Sequence, residues 1–281
     1  MGPAHGLKAM RLFLLTCLGL FAAASGLAAA DPRPATAEEV ALFKEAMKNS
    51  DQDKEHWAYT ETTVIKDKRE KVREETVVRF DPSKPYAEQY TPLKIEGQPP
   101  TEKQLKKYRK QGEQRGKKLV QDAAAKAGKP EDKAPQLIIN DSKATLDFDH
   151  PLVVQDGADR ITFELPLLAA KGSDIPVDKF EIRVQVGKPA RQVERAMFRI
   201  RESFRLKVVA KIKSGEASAE FTVVDPNFGP VITSITGNIG ASLLFIPVQA
   251  TLSNTRTDWQ RVKAFDERFS VKLAPLQVLG F

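Results

Sequence analysis

Apolar and polar side chains alternate with a period of two through three stretches between residues 180 and 224. The pattern is clearest at 180–186, returns at 204–213, and continues at Phe221 and Val223. Successive side chains of a β-strand point to opposite faces, so this period predicts strands with one covered face and one hydrated face. The chain is therefore expected to build an antiparallel sheet around an apolar interior.

The same criteria predict an α+β fold in which one curved antiparallel sheet forms an incomplete β-barrel covered by two helices. Thr36 with Glu39, and Thr101 with Gln104, have the spacing of a capping box, which predicts helices over about 37–49 and 101–127. The predicted strands are 55–66, 72–80, 86–95, 136–139, 144–148, 160–165, 179–186, 195–201, 204–213, 217–224, 231–236, 242–250 and 259–265.

Three connections are predicted in more detail. A two-residue turn at Ser214–Gly215 places Lys213 opposite Glu216 and Val208 opposite Phe221, which satisfies charge and apolar parity together. At 201–203 we favour a three-residue loop over one long bent strand. Residues 237–240 are interpreted as a turn.

The first thirty residues have the three parts of a secretory signal peptide. Lys8 and Arg11 precede an apolar run at 12–20, and small residues lead to Ala30. We expect cleavage near Ala30 and a periplasmic protein, while Cys17 leaves lipidation open as an alternative. Cleavage removes the only cysteine, so the mature chain lacks disulfides and thiolates.

Residues 31–281 are expected to form a single domain with a polar linker or loop at about 128–136. Residues 101–127 contain nine Lys or Arg against three acids and account for the whole positive excess. Gly112 and Gly116 within them leave a smooth groove where another backbone could approach. We favour a solvated helix over a functional lid. Its candidate contacts with an anionic membrane surface or envelope protein are Lys106, Lys107, Lys110, Lys117 and Lys118.

Catalytic and metal-binding patterns are absent from the sequence. It contains no nucleophile elbow, zinc-protease, Walker A or dinucleotide-binding motif. His56 and His150 stand without a second cluster of metal ligands, so structural or solvent-exposed roles are favoured. We predict no enzymatic activity, no cofactor, no metal and no nucleic-acid partner.

In plan the chain resembles the periplasmic LolA/LolB/RseB-like proteins. The matching features are an exported start, a helix before Trp57-Ala58-Tyr59, the segment Val78-Arg79-Phe80-Asp81-Pro82, the helix after Pro99-Pro100-Thr101, and the strand-rich remainder. The resemblance implies an incomplete barrel closed by helices. It further implies that the barrel holds lipid or lipoprotein acyl chains, in outer-membrane biogenesis, or that the protein senses envelope stress.

The leading hypothesis is a monomeric, non-enzymatic periplasmic binding protein for lipid or acylated ligands. Its predicted apolar wall comprises Trp57, Tyr59, Phe163, Ile182, Val184, Phe198, Phe204, Leu206, Val208, Phe221 and Phe245. For each of these residues, ordinary core packing is the alternative. Two other functions stay open. One is a regulatory or scaffolding protein that binds an envelope partner through the basic helix; the other is an outer-membrane barrel ending at Phe281.

Overall fold

A computed structural model describes residues 31–51, 54–126, 136–139, 142–172, 176–206, 210–243 and 246–268. The predicted signal peptide with Cys17, nearly all of the linker at 128–136, Val208, Phe245 and Phe281 lie outside these residues. Within them, no helix combines the length and the hydropathy needed to cross a membrane.

Two α-helices, three short 3₁₀ helices (Lys54–His56, Val177–Lys179 and Asp266–Arg268) and fifteen strands make up the described fold. The α-helices are α1 (Ala37–Asp51) and α2 (Glu102–Lys126). The strands are β1 (Arg33–Pro34), β2 (Trp57–Asp67), β3 (Val72–Phe80), β4 (Tyr90–Ile95), β5 (Gln136–Ile139), β6 (Ser142–Leu146), β7 (Leu152–Asp156), β8 (Arg160–Glu164), β9 (Leu167–Ala169), β10 (Phe180–Gly187), β11 (Gln192–Ile200), β12 (Phe204–Leu206), β13 (Ala210–Thr222), β14 (Val231–Leu243) and β15 (Ile246–Arg261).

Twelve of the strands form one antiparallel sheet in the order β1-β7-β8-β10-β11-β13-β14-β15-β2-β3-β4, with β12 also paired to β13. A second sheet contains β5, β6 and β9. The predicted α+β class is therefore confirmed as an antiparallel sheet with two helices, and the sheet is not closed into a barrel. The prediction missed β1, β7 and β9, which have five residues or fewer and give little periodic signal.

Both predicted capping boxes are present. The backbone N–H of Glu39 donates to Thr36 Oγ1 at 3.3 Å, and the Thr36 N–H donates to Glu39 Oε2 at 2.8 Å. Thr101 and Gln104 form the same reciprocal pair at the start of α2. These bonds satisfy N–H groups that have no partner within the first helical turn.

One face of the large sheet, here called the inner face, carries the apolar core in two clusters. Under α1, Phe43 is fully buried and its ring lies 5.2 Å from that of Phe163 between centroids. In the other cluster, Phe180 and Phe204 of the large sheet pack with Ala144 of the small sheet. The large sheet is therefore covered by α1 in one region and by the small sheet in another.

The structure corrects the predicted turn at Ser214–Gly215. Both residues lie inside β13, where Ser214 pairs with Gly240 and Gly215 with Ile239 of β14. A Cβ atom on Gly215 would lie 2.8 Å from Cδ1 of Ile200, so this glycine permits a close approach between strands. The predicted register was wrong because pairing with β14 satisfies the same apolar parity.

The favoured loop at 201–203 is also wrong, and the bent-strand alternative describes the chain better. Both β11 and β12 pair with β13 and run in the same direction along it. β12 is antiparallel to β13, with Leu206 paired to Ala210, so the predicted strand 204–213 is divided in two.

Residues 237–240, predicted as a turn, lie in the middle of β14 between β13 and β15. The strand continues to Leu243, which pairs with Ile246 of β15. Small residues in this strand therefore mark close strand contacts, as Gly215 does in β13.

The capping carboxylate of Glu39 makes the free energy of unfolding depend on pH in the acidic range. The guanidinium of Arg33 donates to it at 2.7 Å and lowers its pKa from the ordinary 4.5 to about 2. Between these two pKa values the folded state holds fewer protons than the unfolded state. The contribution of Glu39 to stability is therefore fully present above pH ~4.3 and is lost as the pH falls towards about 2. We expect Glu39→Gln to lower the free energy of unfolding by about 1 kcal/mol at pH 6 and to flatten this acid dependence.

Urea unfolding at pH 6 and pH 2.5 measures both effects. The matched control is Glu38→Gln, in the same first turn. Equal pH profiles for the two variants would contradict the assignment.

Candidate ligand-binding cavity

A cavity of about 1260 Å³ lies where neither helix nor small sheet fills the inner face. Its wall combines residues of β2, β3, β4, β10, β11, β13, β14 and β15 with the end of α1 and the second half of α2. Its volume exceeds the ~300–1,000 Å³ of ordinary small-molecule sites. Nine aromatic residues line it: Trp57, Tyr59, Phe80, Tyr86, Tyr90, Phe148, Phe221, Trp259 and Phe265.

Four of these rings form a ladder across β15, β2, β3 and β4. Tyr59 pairs with Phe80, and Phe80 pairs with Tyr90, in the backbone register. Ring centroids are 4.9 Å apart for Trp259 and Tyr59, 5.1 Å for Tyr59 and Phe80, and 4.7 Å for Phe80 and Tyr90. Cross-strand aromatic pairs stabilise a sheet and hold each ring in place, so this part of the wall is rigid.

A β-bulge places Trp259 in the ladder. The register between β15 and β2 shifts between Thr257 and Gln260, and Asp258 takes a left-handed backbone with φ of 52°. The extra residue reverses the alternation, so Trp259 joins Arg256 on the inner face although their parities differ. Strict alternation cannot find this residue, which explains its absence from the predicted wall.

One cation of the wall is neutralised within the sheet. Arg256 lies on the inner face of β15, and its Nε is 3.2 Å from Glu61 Oε2 on the neighbouring strand. Its guanidinium also lies 4.8 Å from the centroid of Tyr59. Both side chains are mostly buried, and pairing offsets the cost of removing their charges from water.

Helix α2 is attached through its two glycines. A Cβ atom on Gly112 would overlap the carbonyl oxygen of Tyr86, and one on Gly116 would lie 2.5 Å from the Tyr86 ring. The groove predicted from the sequence is therefore filled by the segment between β3 and β4. Attachment brings Leu119 and Val120 to the cavity, where both remain exposed.

The same attachment turns Arg115 towards the wall. Its guanidinium lies 4.2 Å from the centroid of Tyr90 and 5.8 Å from that of Phe80, and it donates to Gln89 Oε1. Gln89 is buried and donates through Nε2 to the carbonyl of Lys84 at 3.0 Å. This bond orients the amide oxygen, which in turn positions the arginine.

Tyr86 also links the segment between β3 and β4 to the residues that follow β15. Its hydroxyl donates to a carboxylate oxygen of Asp266, and the Phe265 N–H donates to the Pro82 carbonyl at 2.8 Å. Burial and, second, the bond to Asp266 raise the pKa of Tyr86 to about 12. The hydroxyl therefore stays protonated and remains a donor at neutral pH.

The structure distributes the predicted wall residues among several environments. Trp57, Tyr59, Val184 and Phe221 line the cavity. Phe163 and Ile182 pack in the cluster under α1, and Phe198 and Phe204 pack in the other cluster. Leu206 lies in β12, and its side chain is outside the described part of the structure, as are Val208 and Phe245.

The predicted basic contacts lie together on α2. Lys106, Lys107, Lys110, Lys117 and Lys118 are all exposed. The inward-turned cation of the helix, Arg115, was not among them, because its position depends on the distant contact with Gln89. Phe80, Tyr90 and Arg256 were missed for the same reason, since strand pairing decides which face they share.

The two histidines of the described chain each face an acid. His150 Nδ1 is 3.0 Å from Asp147 Oδ2, and His56 Nε2 is 2.6 Å from Glu267 Oε1. Over the part of the chain that the structure describes, no three His, Cys, Asp or Glu side chains come together as a metal site would require.

No protein-family model matches the chain, and no curated protein matches it.

The glycine attachment of α2 predicts a reversal of the usual substitution effect. In a solvated helix Gly112→Ala would stabilise by about 1 kcal/mol, because alanine is the better helix former. Against the Tyr86 carbonyl the added methyl has no room, so we expect a loss of about 2 kcal/mol in the free energy of unfolding.

Urea unfolding distinguishes these outcomes by sign. Gln111→Ala, at an exposed neighbouring position, is the control and should change stability by less than about 0.5 kcal/mol. Stabilisation by Gly112→Ala would show that the helix is not held through this contact.

Proposed function

We propose that this protein is a non-enzymatic periplasmic binding protein for lipids or acylated ligands, which it holds in the cavity of an incomplete barrel. The observation that carries the proposal is the large cavity lined by nine aromatic side chains on the inner face. In this view the sheet forms the half-barrel, and α1 and α2 cover it. The bound ligand would cover the apolar side chains of the inner face that no other part of the chain covers.

The chemistry of the wall favours a long apolar chain as the occupant. Aromatic and aliphatic side chains dominate the lining, and Arg256 is neutralised by Glu61. Burying apolar surface contributes about 25 cal/mol per Å², so an acyl chain gains affinity along its whole length. A strongly polar ligand would leave its own hydrogen-bonding groups unpaired against these rings.

The resemblance to the LolA/LolB/RseB-like proteins supports the same function. It extends the proposal to export, to lipoprotein acyl chains as ligands and to a role in outer-membrane biogenesis. The wall formed by Trp57 and Tyr59 follows the N-terminal helix, as that resemblance implies.

Filling part of the cavity should weaken binding without unfolding the protein. Ala196 lines the cavity from β11, so Ala196→Phe should weaken binding of a fluorescent fatty-acid probe by tenfold or more, since the added ring occupies ligand volume. Probe titration and native mass spectrometry of the purified wild-type protein test the proposal together.

The control is Ser253→Phe, which adds the same ring at an exposed site on β15 and should bind as wild type does. Absence of both a lipid adduct and probe binding in the wild-type protein would refute the proposed function.

A second candidate is a regulatory or scaffolding role through the basic face of α2. It is favoured by five exposed lysines on one helix: Lys106, Lys107, Lys110, Lys117 and Lys118. Among the described residues, no acid lies within 4.0 Å of their amino groups. An acidic envelope partner would pair with this face and gain association rate as well as affinity.

Reversing these five charges to Glu should abolish capture of an acidic partner in a pull-down from envelope extracts. The control reverses five exposed lysines elsewhere: Lys94, Lys171, Lys211, Lys213 and Lys263. Equal loss with both sets would indicate a net-charge effect and count against a specific face.

A further inference from the structure

The charged groups that line the cavity differ in whether they already have a partner. The carboxylate of Asp266 accepts the hydroxyl of Tyr86, while Glu55 is exposed to water. Neither acid is an open, desolvated group facing the aromatic wall. The anionic side of the lining is therefore satisfied without a ligand.

The three cations of the lining are in contrasting situations. Lys48 is exposed, and Arg256 is paired with Glu61. Arg115 is half-buried, and no carboxylate of the described residues lies within ion-pair distance of it. It is the partly desolvated cation of this lining without a carboxylate partner among the described residues.

The surroundings of Arg115 hold its guanidinium in one orientation. It stacks on Tyr90 at 4.2 Å and donates one N–H to Gln89, whose amide is fixed by the Lys84 carbonyl. A guanidinium has five N–H donors in a planar fork, which matches carboxylate and phosphate oxygens. Several donors beside the apolar wall thus remain for an anion.

We propose that the cavity selects amphiphiles with an anionic head, and that Arg115 receives that head while the acyl chain lies along the aromatic ladder. This inference rests on the proposed function and names its ligand class. The head can be the carboxylate of a fatty acid or the phosphate of a lysophospholipid, since both present the same oxygens to the fork.

Both tryptophans of the chain, Trp57 and Trp259, line the cavity and report its occupant by quenching. The probes are doxyl-labelled stearate, its methyl ester, and doxyl-labelled lysophosphatidate, which share an acyl chain and differ in the head. For the wild-type protein we expect each anionic probe to bind about tenfold more tightly than the ester, as one charged hydrogen-bonding pair contributes. The relative affinity of stearate and lysophosphatidate identifies the preferred head.

Arg115→Gln should remove this preference, because it weakens the two anionic probes about tenfold more than the ester, which has no charged head. Arg115→Lys keeps the charge and should retain part of it. Arg109→Gln, at an exposed position of the same helix, is the control and should bind all three probes as wild type does.

Equal wild-type affinity for stearate and its ester overturns the inference while leaving the proposed function standing, and this comparison needs no folded variant. An equal loss for all three probes in Arg115→Gln overturns it as well. Quenching by none of the three in the wild-type protein instead refutes the proposed function itself.

Discussion

The inner face of the twelve-stranded sheet offers more apolar surface than two helices and a three-stranded sheet cover. Helix α1 packs over one region through Phe43, and the small sheet packs over another through Ala144. The cavity occupies the part of the inner face that neither of them covers. Exposed apolar surface of this extent favours either collapse or an occupant. The aromatic ladder resists collapse because each ring is held by its neighbour across the strands. The cavity is thus a consequence of how the sheet is built.

Helix α2 connects this cavity to a charged surface. Its glycines fix it to Tyr86, and that single attachment directs Arg115 inward while the lysines remain in water. Arg256 and Arg115 both line the cavity but differ in their partners. Arg256 pairs with Glu61 within the sheet, and Arg115 faces the cavity without a carboxylate partner among the described residues. A basic helix that looks uniform in sequence is therefore two-sided in the structure.

Local signals predicted local structure well, and long-range pairing limited the rest. Both capping boxes and the alternation at 180–186 depend on neighbours in the chain, and the structure contains them. The turn at Ser214–Gly215 failed because small residues serve turns and close strand contacts equally, and only the position of Ile200 separates the two. The cavity wall was found in part, through Trp57, Tyr59, Val184 and Phe221. Arg115 depends on Gln89, 26 residues away, which no periodicity encodes.

The bulge at Asp258 shows how such a wall can change during evolution. Deleting Asp258 would restore plain alternation and leave Trp259 on the inner face opposite Tyr59, whereas one further residue inserted after Asp258 would shift the parity and turn Trp259 to the outer surface. Gain of one residue at this point would thus reshape the binding site more than most point substitutions. Related chains that differ in length here are expected to differ in the ligands they hold.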